Sequence, residues 1–213
     1  MARQRRSFVP GVSVHVIKRG NNRGSIFSCE KDYERFLGEL GEAAAIHAAP
    51  VHAYVLMTNH IHLIATPEKP RSVSAMMKQL GERYSQYFNR RYDRIGTPWS
   101  GRFRALLISN EGYWLTCMRY VEQNPVRAGM VVDPADYEWS SYSSHALGRA
   151  HTWLRPHPVF EALGRSTLER AETYRALCSA AVSWDDVRRL RNPPQRDQPT
   201  GAGKVETGSD PGV

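Results

Sequence analysis

The sequence predicts an α+β protein with a ferredoxin-like fold, a split βαβ antiparallel sheet with helices on one face. Two observations lead to this class. Apolar residues alternate along several short stretches, and they recur at helical spacing in two longer stretches between them. The resulting order is strand, helix, strand, strand, helix, strand, which is the order of this fold. The second face of the sheet is expected to be free for a ligand.

The strands are predicted at 12–17, 51–57, 60–66 and 105–109. Only Thr58 and Asn59 separate the second strand from the third, and so short a connection forces an antiparallel hairpin. In the first strand, His15 lies on the opposite face from the valines on either side of it. His15 is either a plain strand residue or part of the same sheet surface as the histidines of the third strand.

Two helices pack on this sheet according to their apolar spacing. The first covers EKDYERFLGELGEAAAIHA, with Ser28 as its expected N-cap. The second follows PEKP, and its apolar stripe runs from Val73 to Phe88. Tyr84 and Tyr87 are expected to belong to this core stripe.

A third helix, EGYWLTCMRYV, is expected to begin after Asn110 as its N-cap. Its buried stripe consists of Trp114, Cys117, Met118 and Val121. Tyr113 and Tyr120 lie seven residues apart at the edge of this helix, away from the centre of the stripe. Asn124 followed by Pro125 is typical of the N-cap and first position of another helix.

The length and composition predict one main domain with a small appendage. The expected boundaries are a domain over residues 1–135, a helical C-terminal extension over 136–190 and a disordered tail over 191–213, where proline, glycine and polar residues dominate without an aromatic. Three cysteines in no metal-binding or disulfide spacing indicate a reducing compartment. No stretch reaches 18 apolar residues, so a cytoplasmic protein without a membrane segment is expected.

The charge of the chain favours a polyanionic partner. Lysine and arginine exceed aspartate and glutamate by 29 to 21, a net charge of +8, and the first 24 residues contain six basic and no acidic side chains. Residues 83–104 interleave six arginines with six aromatics against one acid, which suits single-stranded nucleic acid. The expected DNA-binding residues are Arg5, Arg6, Arg19, Arg23, Arg90, Arg91, Arg94, Trp99, Arg102 and Arg104.

His60 and His62 are the centre of the functional hypothesis. Strand periodicity places both imidazoles on one face, while Ile61, Leu63 and Ala65 face the core. Two neighbouring imidazoles provide half or more of a divalent-metal site. On the spacing alone, two exposed or hydrogen-bonded strand histidines are the commoner explanation.

Six sequence segments, which follow one another in a characteristic order along the chain, indicate a known protein family. They are VHVIKRGNNR, AYVLMTNHIHLIATP, WSGRFRALLI, RYVEQNPVRAGMV, DYEWSSY and WLRPHPVFEALG, spanning about Phe8 to Leu163. Together they resemble the REP-associated tyrosine transposases, a branch of the single-tyrosine HUH transposases. The resemblance implies a metal-dependent endonuclease and strand transferase that acts on single-stranded DNA near hairpins of repetitive palindromic elements, associated with the nucleoid, as a monomer or homodimer.

The resemblance also implies roles for particular residues. His60 and His62 match the histidine pair that binds Mg²⁺ or Mn²⁺, and Tyr120 matches the nucleophile of a covalent 5′-phosphotyrosine intermediate. Asn124 stands where a third metal ligand is usual, although it could serve only as a helix cap. Two alternatives stay open: a non-catalytic nucleic-acid-binding module on the same sheet, and a water-using metallohydrolase, which lacks an evident carboxylate ligand near the histidines.

Overall fold

The computed structural model of the protein describes residues 6–108, 110–180 and 182–191. Four strands form one sheet: β1 Val14–Arg19, β2 Val51–Met57, β3 His60–Ala65 and β4 Arg104–Leu107. Their order is β2-β3-β1-β4, and every neighbouring pair is antiparallel. Helices α1 Glu30–Ile46 and α2 Ser72–Tyr92 connect the strands in the predicted sequence. The predicted α+β, ferredoxin-like class is confirmed.

In the part of the chain that the structure describes, six further helices follow the sheet. They are α3 Glu111–Glu122, α4 Asn124–Arg127, α5 Tyr142–Ala146, α6 Pro158–Glu161, α7 Thr167–Ser179 and α8 Trp184–Arg191. Two short 3-10 turns cover Asn21–Arg23 and Pro134–Asp136. Among the described residues, no helix is long and apolar enough to cross a membrane. The predicted tail lies, from residue 192 onward, outside the described residues.

Helices α1 and α2 cover one face of the sheet. The period of two along the strands sends Val14, Val16, Ile61 and Leu63 to this face, where they are fully buried. The predicted stripe of α2 is buried there too, with Tyr87 partly exposed at its edge. Helix α1 begins at Glu30 as predicted, but its N-cap is Cys29 and not Ser28.

The opposite face is covered as well, which corrects the prediction that it is free. The stripe of α3 packs on strand residues such as Val55 and Ile64, and residues of the C-terminal extension complete this second core. Asn110 caps α3 as predicted, since its side-chain oxygen accepts from Tyr113 N at 2.8 Å. Partly exposed side chains remain on this face at the end of the sheet near Arg19 and His60.

Candidate functional site

Three histidines meet on the sheet face that α3 covers. The imidazoles of His60 and His62 have ring centroids 5.0 Å apart. His15 of β1 joins them, because its Nε2 lies 2.8 Å from Nδ1 of His62 and the two rings stack with centroids 5.0 Å apart. His15 is therefore part of the same surface as the histidine pair, the second of the two possibilities that the sequence leaves open.

All three imidazoles are in the neutral state at pH 7. Burial, followed by the charge of Arg104, lowers the pKa of His15 to about 3. Burial and then the charge of Arg19 lower the pKa of His60 to about 4. The pKa of His62 lies well below its ordinary value, mainly because of burial. Neutral imidazole is the form that ligates a metal.

The hydrogen bonds of Asn59 fix the tautomer of His60. The amide nitrogen of Asn59 donates to the carbonyl oxygen of Arg23 at 3.1 Å, so the amide oxygen points the other way. That oxygen lies 2.7 Å from Nδ1 of His60 and can only accept, which places the ring hydrogen on Nδ1. Nε2 of His60 is left with a lone pair for a cation.

Tyr120 of α3 packs directly against the histidines. Its ring meets His62 and His15 edge-on, with centroid distances of 5.8 and 6.0 Å. Only 5 % of Tyr120 is exposed, so the prediction that it lies at the edge of the helix is wrong. The reason is that α3 rests on the sheet and turns Tyr120 inward. Tyr113, two turns earlier, is only partly buried.

Asn124 is the first residue of α4, and Gln123 is the N-cap, which corrects the predicted capping role. The side-chain nitrogen of Asn124 donates to the carbonyl oxygens of Tyr120, at 2.8 Å, and Val121, at 3.4 Å. Asn124 thus satisfies carbonyl groups at the C-terminal end of α3. Its amide oxygen is the atom that could serve as a metal ligand.

The protein groups suit a divalent cation whose coordination is completed from outside the protein. Among the described residues there is no group of three or more His, Cys, Asp or Glu side chains that could hold a metal ion. The chain offers the two imidazoles of His60 and His62 and the amide oxygen of Asn124. Mg²⁺ and Mn²⁺ commonly keep several oxygen ligands from water or substrate phosphate, so this donor set fits them.

Arginines surround the histidines and Tyr120. Arg19 lies opposite His60 in the β1–β3 register, and Arg104 is on the same face through its pairing with Ile17. The guanidinium carbon of Arg127 lies 4.6 Å from the centre of the Tyr120 ring. Such a concentration of positive charge favours an anion, for example phosphate.

Arg127 is the residue next to Tyr120 that the sequence prediction does not include. It follows Tyr120 by seven residues, about two helical turns, and that spacing could have placed it on the same side as Tyr120. Because α3 ends before Gln123 and α4 begins after it, Tyr120 and Arg127 belong to different helices, and helical spacing within one helix does not relate them.

A second basic surface lies on the other side of the sheet. Arg6 and Arg102, both predicted to bind DNA, line one cleft of about 820 Å³ together with Lys18, Arg71 and Lys78. Burial lowers the pKa of Lys18 to about 8. Arg71 and Lys78 have no role in the sequence prediction, and Lys18 enters it only as one of the six basic residues near the N-terminus, because nothing in the sequence shows which surface lysines and arginines share a cleft.

Other predicted DNA-binding residues lie near the end of the sheet that carries His60. Arg23 is exposed in the 3-10 turn after β1, and its carbonyl group bonds Asn59. At the end of α2, Arg90, Arg91 and Arg94 are exposed, and Arg91 lies 3.5 Å from the buried carboxylate of Asp32. Arg5 lies outside the described residues.

Trp99 does not have the position predicted for it. Its side chain is 4 % exposed, and its indole nitrogen donates to the carbonyl oxygen of Gly81 at 3.3 Å. The Lys18 ammonium lies 5.0 Å from the ring centre. Because the ring is in the core between α2 and the sheet, Trp99 supports Lys18 and is not available to stack on a DNA base.

The sequence pattern of the IS200-like transposases matches residues 8–124, more than half of the chain. The structure of a REP-associated tyrosine transposase bound to a REP hairpin is similar, with a TM-score of 0.59 and 17 % identity, over 75 % of this chain and 93 % of that one. At this identity the likeness shows a shared fold.

Two further solved structures are similar over smaller parts of the fold. A candidate transposase of Deinococcus radiodurans gives a TM-score of 0.40 and 20 % identity, over 49 % of this chain and 85 % of that one. A bacterial tRNA(His) guanylyltransferase-like protein in complex with GTP gives 0.39 and 12 %, over 62 % and 73 %. No curated protein matches the chain.

Proposed function

Because the chain belongs to the IS200-like transposase family, we propose that it is a metal-dependent endonuclease and strand transferase acting on single-stranded DNA near hairpins. The observation that carries this proposal is the contact of Tyr120 with His62 and His15, beside His60. A tyrosine, two potential metal ligands and a cluster of arginines then share one site. This combination suits phosphoryl transfer to a tyrosine.

The reaction assigns Tyr120 the role of nucleophile. Its phenol loses its proton to solvent, the phenol oxygen attacks the phosphorus atom of a DNA phosphodiester, the bond from phosphorus to the 3′ oxygen breaks, and the leaving 3′ oxygen takes up a proton from solvent. The product is a 5′-phosphotyrosine ester, which is similar in energy to the bond that was broken. A 3′-hydroxyl group can therefore attack this ester and rejoin DNA without ATP.

His60, His62 and Asn124 would hold a Mg²⁺ or Mn²⁺ ion, through Nε2 of each imidazole and the amide oxygen of Asn124. When bound, the ion supplies positive charge that stabilises the phosphate during the reaction. The hydrogen bond from Asn124 to the carbonyl oxygen of Tyr120 ties the third ligand to the nucleophile. This bond holds the side chain of Asn124 against the end of the helix that carries Tyr120.

Arg19, Arg104 and Arg127 would bind the scissile phosphate and its neighbours. Arg127 is the most direct of the three, since its guanidinium group lies over the ring of the nucleophile. Guanidinium groups bind phosphate oxygens with two parallel hydrogen bonds, which orients the group as well as neutralising it.

The cleft lined by Arg6, Lys18, Arg71, Lys78 and Arg102 is our proposed binding surface for a DNA hairpin. The solved REP-associated relative holds a REP hairpin. In this chain, these five cations outnumber the one acid of the cleft, Glu82, which pairs with Lys78 at 3.8 Å, and would neutralise the backbone of a folded strand. Arg90, Arg91, Arg94 and Arg23, at the end of the sheet near His60, would then hold the single-stranded flank.

Covalent capture on DNA tests the proposal. Single-stranded oligonucleotides that each contain a hairpin with random flanks are incubated with the protein and Mn²⁺, and adducts are separated on a denaturing gel. We expect an adduct with the wild-type protein and with Tyr113→Phe, and none with Tyr120→Phe, which still folds and binds DNA. An adduct that persists in Tyr120→Phe but disappears in Tyr113→Phe would overturn the assignment, and no adduct in the wild type would favour a binding module.

A further inference from the structure

His15 and His62 share a hydrogen bond in the buried part of the site. Nε2 of His15 lies 2.8 Å from Nδ1 of His62, and the exposed fractions of the two side chains are 0 % and 4 %. The other nitrogen of His15, Nδ1, is buried and has no hydrogen-bond partner. The bond therefore engages one nitrogen of His62 and leaves its Nε2 for a different contact.

The direction of this bond decides whether His62 can ligate a cation. Each neutral imidazole carries one ring hydrogen, and a single hydrogen lies between the two nitrogens. If Nδ1 of His62 donates, Nε2 of His62 keeps a lone pair. If Nε2 of His15 donates, the hydrogen of His62 is on Nε2, and no nitrogen of His62 is free to bind a metal.

The two histidines of β3 differ in how their tautomers are set. His60 faces an amide oxygen of Asn59, which accepts in any protonation state of the site. His62 faces His15, whose Nε2 either accepts or donates. The tautomer of His62 therefore depends on the hydrogen that His15 carries.

We propose that His15 is a positioning residue, which accepts the hydrogen of His62 Nδ1 and so keeps Nε2 of His62 unprotonated for a divalent cation. This inference rests on the proposed function. With this direction of the bond, the hydrogen of His15 sits on Nδ1, the buried atom without a partner. Nδ1 of His15 has no partner with either direction of the bond, so the direction follows from the requirement on His62: only when His15 accepts does Nε2 of His62 keep a lone pair for a cation.

Nitrogen NMR of the full chain, with ¹⁵N in the histidine rings, reads the tautomer of His62 without metal or DNA. We expect the hydrogen on Nδ1 in the wild-type protein. His15→Phe keeps a ring but removes the acceptor, so His62 should become a mixture of tautomers. In His15→Gln the side-chain oxygen reaches the position of Nε2 and should restore the wild-type state. A hydrogen on Nε2 of His62 in the wild type would overturn the proposal.

Binding of Mn²⁺, followed by electron paramagnetic resonance, provides the second readout. Loss of a partner of a ligating histidine typically costs 10–100-fold in metal affinity, so we expect about this weakening in His15→Phe and recovery to within a few-fold in His15→Gln. The matched control is His52→Gln, which changes another buried histidine of the sheet that bonds Thr66 and Arg155. Its Mn²⁺ affinity should equal that of the wild type.

The outcomes separate the two proposals. Unchanged Mn²⁺ affinity in a folded His15→Phe protein would contradict the role of His15. If the wild type binds no Mn²⁺, the proposed function is wrong. The NMR measurement of the His62 tautomer still shows, in that case, whether His15 accepts or donates the hydrogen bond. Circular dichroism establishes folding, and if His15→Phe does not fold, the wild-type NMR measurement decides.

Discussion

Two buried polar clusters lie on the same helix, α3, only two residues apart, and they are built in opposite ways. One contains Tyr120 with His15, His60 and His62. The other surrounds Glu122, which is fully buried and accepts hydrogen bonds from Ser141, from His145 at 2.7 Å and from Tyr174 at 2.7 Å. We call it the Glu122 cluster. Among the described residues, it has no buried side-chain atom without a partner, whereas the histidine cluster has one, Nδ1 of His15.

The difference separates a structural cluster from the cluster that we propose to be the active site. A buried carboxylate is tolerated when its oxygens are fully hydrogen-bonded, and the Glu122 cluster joins α3 to α5 and α7 in this way. In the histidine cluster, burial and neighbouring arginines act together to keep the imidazoles neutral. Neutral imidazoles keep a nitrogen lone pair that can bind a ligand, while one buried nitrogen of this cluster, Nδ1 of His15, has no hydrogen-bond partner. The Glu122 cluster thus holds the helix on which Tyr120 faces the histidines.

Removing the centre of the Glu122 cluster should have the largest effect. Glu122→Ala leaves His145 and Tyr174 buried without their acceptor, whereas Ser141 still has the carbonyl oxygen of Tyr54 at 3.2 Å. This loss should cost about 3–5 kcal/mol of the free energy of unfolding. At about 2–4 °C per kcal/mol, the melting temperature should fall by about 6–20 °C. Thermal and urea unfolding measure the melting temperature and the free energy of unfolding of the variant. Glu138→Ala, at an exposed glutamate, is the control, and equal stability of the two variants would contradict a structural role for Glu122.

The same kind of truncation in the histidine cluster should spare stability and remove activity. His60→Ala should reduce formation of the covalent DNA adduct by at least about 100-fold, or about 2.7 kcal/mol, because a metal ligand is lost. The free energy of unfolding should change by less than about 1 kcal/mol, since His60 is only partly buried. His151→Ala is the matched control, because His151 is also partly buried and its Nε2 lies 3.2 Å from the hydroxyl of Tyr54. A large loss of stability in His60→Ala would show that the two clusters do not differ as described.

The sequence predicts the histidine cluster far better than the Glu122 cluster, for a physical reason. Side-chain alternation along a strand is local, so His60 and His62 could be placed on one face from the sequence alone. The bond from His15 to His62 depends on the register of β1 against β3, which pairs Ile17 with His62 and is a tertiary property. The partners of Glu122 come from residues 19 to 52 positions later, beyond any periodicity.

The burial of individual side chains is also predictable only where it depends on local periodicity and not on tertiary contacts. The buried stripes of α2 and α3 follow from helical spacing and were predicted. Tyr120 and Trp99 were expected at accessible positions, and both are buried, because α3 lies on the sheet and the segment before β4 packs under α2. Those contacts form between elements that the sequence alone does not bring together.

Arg127 provides an intermediate test, since it borders the histidine cluster through Tyr120. Arg127→Lys keeps the charge but loses the two-pronged hydrogen bonding of a guanidinium group, so the rate of adduct formation should fall about tenfold, or about 1.4 kcal/mol. The melting temperature should stay within a few degrees. Added guanidinium ion should partly restore the rate in Arg127→Gly. A wild-type rate in Arg127→Lys would show that charge alone is needed there.

The smallest effects are expected at the surface, where side chains are neither buried nor enclosed by a cluster. Arg90 and Arg94 are exposed at the end of α2, while Arg91 is partly engaged by the buried carboxylate of Asp32 at 3.5 Å. Each phosphate neutralised on a single strand adds about 0.7 to the slope of log affinity against log salt. Replacing Arg90 and Arg94 by alanine should therefore lower this slope by up to about 1.4, and Arg91→Ala should lower it less.

Fluorescence anisotropy with a single-stranded oligonucleotide over a range of salt concentrations measures these slopes. Arg149→Ala, at an exposed arginine of the C-terminal extension, is the control and should leave the slope unchanged. The carboxylate of Asp32 also accepts from Tyr87 and Tyr92, so loss of Arg91 leaves it bonded and should affect stability little. If Arg91→Ala lowers the slope as much as Arg90→Ala, Arg91 exchanges Asp32 for phosphate when DNA binds. An unchanged slope in all three variants would remove this end of α2 from the DNA-binding surface.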